Sequence, residues 1–309
     1  MPKTVLAGLK KYPVEIFTGA SMLESGGSSG QLRIDFQTLP WGDLRRHFLA
    51  LSSAPEWKNK IFQLRVGREV FDGGHKGHPF GNVFLSGLEY ILGDLKETLK
   101  IAHKFLEVKG HVFPLTSELS HIYATLENGE VVFGEDEIDV PRKHSPKLRI
   151  KEVRLTKKIK AYQPVLKVIK EADLIVIGPG DLYSSLIPCF LPKGIKEAVE
   201  KSKAKKVYIC NLMNKYGETN NFTVSDFTEE IEKYLDEEID YVIYNTKKPS
   251  QKRLSVYKKD HPELAGLVEF DKKLSRSKKF IGKNILTNSG PICHDSGKLA
   301  KIILSLCKP

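Results

Sequence analysis

The 309-residue sequence predicts a doubly wound α/β protein with a mostly parallel sheet, organised as one domain over residues 1–309. Three observations carry that prediction. Short β-branched runs at Leu174–Ile177, Lys206–Cys210 and Tyr241–Tyr244 each end in a polar turn, amphipathic segments lie between them, and the first run stops at once against Gly178-Pro179-Gly180. Strands buried on both faces read as near-continuous apolar runs, and strands alternating with helices at this spacing require crossover connections.

Composition narrows the function classes. The hydrophobic content of 40% is enough for a sizeable core. No segment is long enough to span a bilayer and the first residues lack the apolar run of a signal peptide, so the sequence predicts a cytoplasmic protein without membrane contact. Cys189, Cys210, Cys293 and Cys307 are widely spaced, with no C-x-x-C pair and no metal-ligand rhythm, and read as free thiols. The formal charge of +11 comes mostly from scattered lysine doublets without interleaved aromatics. That pattern favours a solvated surface with a general preference for anions over a nucleic-acid interface.

Taken in order, Val5–Lys11 reads as the end of a helix running into a strand at Pro13–Phe17, with no strand before it. Doubly wound chains ordinarily open strand, glycine loop, helix. This one reads as starting inside its first unit, with the opening strand and glycine loop missing. Glu24–Gly30, E-S-G-G-S-S-G, predicts a flexible loop that can wrap phosphates or sugar hydroxyls, or equally a surface linker. A helix follows through Leu51, with Asp43 as its N-cap and Arg45 and Arg46 near its start. Cations there oppose the helix dipole by about 0.3–1 kcal/mol each, a placement that suits either an anionic partner or solvated arginines. Gly73–Asn82 is a second polar loop, in which His75 and His78 stand three apart. A metal pair would need further ligands, and the flanking glycines favour a loop shaped around a ligand. Val83–Leu92 and Asp94–Val108 then predict two core-closing helices, the second with Leu95, Leu99, Ala102 and Leu106 on one face.

Asn128-Gly129 predicts a β-hairpin, His121–Leu126 with Glu130–Phe133, as an insertion over about 118–140. Arg149–Leu155 is a strand and Pro164–Lys170 a helix leading into the Leu174–Ile177 strand. Beyond it, Asp181, Ser184 and Ser185 are placed to cap a following helix. Amides left free past a strand end make phosphate the natural guest, although a ligand-free strand-to-helix turn accounts for the same residues. A helix at Lys196–Lys201 precedes the Lys206–Cys210 strand, whose loop brings Asn211, Glu218 and Thr219 within reach of a sugar or base, or of their own loop. Ser225–Leu235 is helical, and the Tyr241–Tyr244 strand ends in Asn245-Thr246. Three polar strand ends on one sheet edge predict a shared cleft. Asp295, in Cys293-His294-Asp295, is placed to cap the closing helix Lys298–Leu306.

Together these motifs resemble the gluconeogenesis-factor (YvcK-like) family, within the superfamily of 2-phospho-L-lactate transferase (CofD-like), over nearly the whole chain. The glycine-serine loop is matched by Gly26, Gly27, Ser28, Ser29 and Gly30, and the leucine-proline-proline-glycine-aspartate stretch by Leu39–Asp43. A glycine-histidine and glycine-asparagine loop is matched by Gly77, His78, Gly81 and Asn82. The G-P-G-x-L-Y-x-S-x-I-P signature is matched at Gly178–Pro188, with Gly180, Tyr183, Ser184 and Ser185 inside it. The N-x-M and G-E-T elements fall at Asn211, Met213, Gly217, Glu218 and Thr219. Departures are Glu24-Ser25 in place of paired aspartates, Trp41 in place of the second proline, and Cys293 opening the late arginine-histidine-aspartate motif.

The resemblance implies a Rossmann-like fold and a nucleotide ligand. It implies a regulator of carbon metabolism, cell shape and envelope synthesis that binds UDP-sugars such as UDP-N-acetylglucosamine (UDP-GlcNAc), with no established reaction. Phosphates are expected against the Gly178–Ser185 amides, the base or sugar near Asn211, Glu218 and Thr219, and the Gly26–Gly30 and Gly77–Asn82 loops closing over them. Tyr257 is a further stacking candidate. A transferase of the phospholactate type, with magnesium and a deazaflavin acceptor, is the alternative, and a scaffold without ligand the third. No certain cofactor and no catalytic residue is expected, and the sequence leaves homo-oligomer formation open.

Overall fold

A computed structural model describes residues 2–70, 76–261 and 263–307. The apolar runs Leu174–Ile177, Lys205–Ile209 and Tyr241–Asn245 pair in parallel, and a fourth strand, Phe280–Lys283, adds to the far edge. Val207, Ile209, Ile243 and Val242 are fully buried, as expected for strands covered on both faces. Phe17–Ala20 and His111–Pro114 form a second, two-stranded parallel sheet. The fold is therefore α/β and Rossmann-like, with its parallel strands divided between two sheets. Helix Pro2–Leu9 spans both cores, Leu6 packing with Met22, Trp41 and Phe48 while Val5 packs with Val207, Ile243 and Leu299.

The predicted hairpin forms, as Ile122–Leu126 against Val131–Phe133. The Arg149–Leu155 strand forms over Ile150–Leu155 and pairs antiparallel with the hairpin strand Ile122–Leu126. Asp295 caps Ser296–Leu306 through Lys298 N at 2.9 Å, as its sequence position predicts, whereas Asp94, expected as the first residue of a helix, is the cap of Leu95–Phe105 and accepts from Lys96 N at 2.8 Å.

Several local expectations are corrected. The strand predicted at Pro13–Phe17 begins only at Phe17, because Val14 N folds back onto Tyr12 O and holds the approach as a turn. Glu24–Gly30 is not a flexible loop throughout: helix Gly27–Phe36 starts inside it. Asp43 is not an N-cap. The Gly42–Leu51 helix starts one residue earlier, and the Glu24 carboxylate takes Asp43 N at 3.1 Å. Lys76–Pro79, expected in a loop, pairs antiparallel with Arg65–Val70. His75 lies outside the described residues. Asp181, Ser184 and Ser185 cap no α-helix, since the chain takes a single wide turn at Leu182–Leu186 and a tight one at Ile187–Cys189.

Candidate functional site

Two polar clusters form beyond the strand ends. The first is built on the start of helix Gly27–Phe36, where small residues are a packing requirement. A Cβ on Gly30 would lie 2.0 Å from Ser25 O, and one on Gly42 2.2 Å from Ser29 Oγ. The two helix starts therefore sit against each other. Gly26 supplies no side-chain cap, so the first-turn amides keep no partner from that position.

Around this helix start the buried side chains form a relay. Ser28 Oγ lies 3.0 Å from His78 Nδ1, and Asn82 Nδ2 donates to Ser28 Oγ at 3.2 Å and Ser29 Oγ at 3.4 Å. Asn82 Oδ1 accepts from Arg45 Nε at 2.7 Å. Arg46 is neutralised by Glu24 at 2.7 Å and Asp43 at 2.9 Å. Arg45 has no carboxylate in ion-pair contact among the described residues. Burial, and then the neighbouring Arg46, lower its pKa to about 10, which still leaves it charged at neutral pH. A partly buried cation beside an uncapped helix start is an arrangement that an anion would complete.

The second cluster is internally satisfied. Lys215 Nζ reaches Glu218 at 3.1 Å, Asp181 at 3.2 Å, and Asp139 at closer range still. Burial alone would lower the Lys215 pKa, but Glu218, Asp181 and Asp139 overcome it and raise it. Glu218 is fully buried; burial pushes its pKa up to about 7, with Lys215 opposing. Its Oε2 takes Tyr183 N at 2.8 Å and Ser184 N at 3.3 Å, and its Oε1 takes Ser184 Oγ at 2.9 Å. The carboxylate thus occupies amides at which the sequence predicted a phosphate.

The other predicted residues behave alike. Asn211 exchanges both its amide groups with Gly180, at 3.3 and 2.8 Å, and Thr219 Oγ1 accepts from Lys215 N at 2.9 Å. Ser185 N bonds Asp181 O, and Gly178 adopts φ +78°, a conformation that suits glycine. Tyr183 is buried. Tyr257 stands on helix Gln251–Asp260, its ring 4.4 Å from that of His261 and packed in an apolar cluster with Leu212 and Met213. Thus Gly26–Gly30, His78, Gly81 and Asn82 are assembled in the first cluster, where a Cβ on Gly81 would strike Arg45 Cδ at 2.7 Å. Gly178–Ser185, Asn211, Glu218 and Thr219 assemble in the second.

Sequence reasoning missed the element that joins them. The five-residue helix Glu135–Asp139 bonds Ser25 through Glu135 at 3.3 Å and Asp136 at 2.8 Å, while Asp139 accepts from Ser184 Oγ at 3.1 Å. Burial, then Glu24 and Asp139, raise the Glu135 pKa. The acidic run E-D-E-I-D directly after the hairpin was the available signal. Lys215 was missed as well. It shares a face of a short strand with apolar Met213, and only the fold shows which three carboxylates it meets.

Magnesium would have to compete with that lysine. Asp139, Asp181 and Glu218 offer oxygens within 4.8 Å of one another, the one such acidic group among the described residues. The Lys215 ammonium bonds all three, so these residues as arranged do not fit a divalent cation.

Residues 2–286 match the family described as 2-phospho-L-lactate transferase CofD, and the chain belongs to that family. A Thermotoga maritima protein named "Putative gluconeogenesis factor" is 38% identical over 304 residues, covering 97% of this chain and 94% of its own. A Streptococcus pyogenes serotype M3 protein of the same name is 30% identical over 306 residues, with 98% and 94% covered. Two solved structures of a Bacillus halodurans member of the UPF0052 family align at 33% identity with TM-scores of 0.87 and 0.88, over 98% of this chain. Trp41, a departure from the family pattern, is buried and donates from Nε1 to Glu89 at 2.8 Å. Among the described residues no helix is long and apolar enough to cross a membrane.

Proposed function

We propose that the chain is a regulator that binds a nucleotide sugar of the UDP-GlcNAc type, with its diphosphate at the start of helix Gly27–Phe36. The observation that carries this reading is Arg45, a cation without a carboxylate partner among the described residues, tied through Asn82 to Ser28 and Ser29. A diphosphate there gains helix-end amides and a charge-assisted contact. The Gly178–Thr219 cluster then acts as a rigid wall of the cleft, because Glu218 already holds its amides. The gluconeogenesis-factor name of the relatives supports a role in carbon metabolism, and a part in cell shape and envelope synthesis belongs to the same proposal. The transferase reading finds less support, since Lys215 fills the carboxylate group a metal would need.

Calorimetric titration with UDP-GlcNAc, beside UDP-glucose and GDP and with and without magnesium, tests the reading. Metal-independent binding selective for a UDP-sugar is expected. Binding that requires magnesium, or product formation with a deazaflavin acceptor, would overturn it in favour of a transferase.

A further inference from the structure

A lysine-lined cavity lies at the opposite end of the Phe17–Ala20 and His111–Pro114 strands. There residues just before the first strand, among them Lys10, Lys11 and Glu15, and the turn Lys109-Gly110 with His111 at the start of the second line a cavity of about 440 Å³. The strands are four residues long, so this cavity lies about 13 Å from their carboxyl ends. Lys10, Lys11 and Lys109 converge on it. None of the three has a carboxylate in ion-pair contact among the described residues, and the one acidic lining residue, Glu15, lies 3.5 Å from His111 instead. Lys10 is anchored by donating to Ser52 O at 3.1 Å. Burial, and then the neighbouring positive charges of Lys109 and Lys11, lower its pKa. The wall is built as well as charged. Gly110 takes φ +108°, and a Cβ there would lie 2.5 Å from Ile16 O, so the Lys109–His111 turn is pressed against the neighbouring strand.

We propose that this cavity binds a small phosphorylated metabolite, its phosphate bridging Lys10, Lys11 and Lys109. Three like charges held around one cavity repel each other, and a dianion relieves that repulsion while gaining several charge-assisted hydrogen bonds. The site is independent of the nucleotide-sugar reading.

The test is titration of the full chain with glycerol 3-phosphate, beside glycerol, in low-phosphate buffer. Wild type should bind glycerol 3-phosphate and not glycerol. The double variant Lys11→Gln/Lys109→Gln, at two exposed positions, should bind it at least about tenfold more weakly, with UDP-GlcNAc affinity unchanged. Arg45→Gln should leave glycerol 3-phosphate binding intact. Absence of binding to wild type, equal binding by the lysine double variant, or loss of binding in Arg45→Gln would each overturn the proposal.

Discussion

The two polar clusters at the strand ends contain the same kinds of residue and differ in what remains unneutralised. In the Gly178–Thr219 cluster, Lys215 has three carboxylates and Glu218 has three donors besides that lysine. In the Gly26–Asn82 cluster, Arg46 has two carboxylates while the Arg45 side chain, among the described residues, has only the Asn82 amide oxygen. Glycines and hydroxyls mark both regions. They can be required by close packing as readily as by a ligand, and the unmatched charge is what separates the two cases.

Lys215→Ala should produce the largest change. It leaves Asp139, Asp181 and Glu218 crowded without their cation, at a cost of about 3–5 kcal/mol at neutral pH. The loss should shrink in acid as the carboxylates take up protons, which urea unfolding across pH would show. A loss below about 1 kcal/mol, the range of exposed ion pairs, would mean the cluster is far more hydrated than its burial indicates. Gly30→Ala comes next. Its Cβ, 2.0 Å from Ser25 O, must displace the helix start, costing about 1–3 kcal/mol and lowering UDP-GlcNAc affinity as well. Retained affinity would detach the helix start from the binding site.

Ser184→Ala sharpens the contrast from the other side. It removes a hydroxyl shared by Asp139 and Glu218, so about 1–3 kcal/mol of stability should go while UDP-GlcNAc affinity stays unchanged. Weakened binding at full stability would restore the Gly178–Ser185 loop as the phosphate seat. The smallest effect concerns His294, buried and within 3.2 Å of Cys210 O. Burial lowers its pKa from 6.5 to about 4. Between those values the unfolded chain binds a proton that the folded chain does not. Its contribution to stability is therefore fully present above about pH 6.5 and is lost as pH falls toward 4. His294→Gln should fall less steeply across that window in unfolding experiments, and an identical slope would refute the assignment.

Much of the fold was legible because it rests on local signals. The runs Leu174–Ile177 and Tyr241–Asn245 are apolar and β-branched, Asn128-Gly129 fixes a hairpin, and Asp295 sits where a helix needs a cap. The Gly27–Phe36 helix was hidden because its first turn is glycine and serine, residues of low helix propensity, and packing against Gly42 and Ser25 overrides that preference. The site was legible as a set of loops, not as a division of roles. That Glu218 would fill its own neighbours' amides, or that Glu135–Asp139 would link Ser25 to Ser184, depends on contacts 34 to 111 residues apart in sequence.

The most direct test is calorimetric titration of UDP-GlcNAc into Arg45→Gln beside wild type, with circular dichroism and thermal unfolding to confirm the fold. Among the described residues the Arg45 side chain makes one hydrogen bond, to Asn82, so a folded variant that binds at least about tenfold more weakly is the predicted result. A folded Arg45→Gln protein that binds the nucleotide sugar as tightly as wild type would contradict the account, and would move the anion seat away from the start of helix Gly27–Phe36.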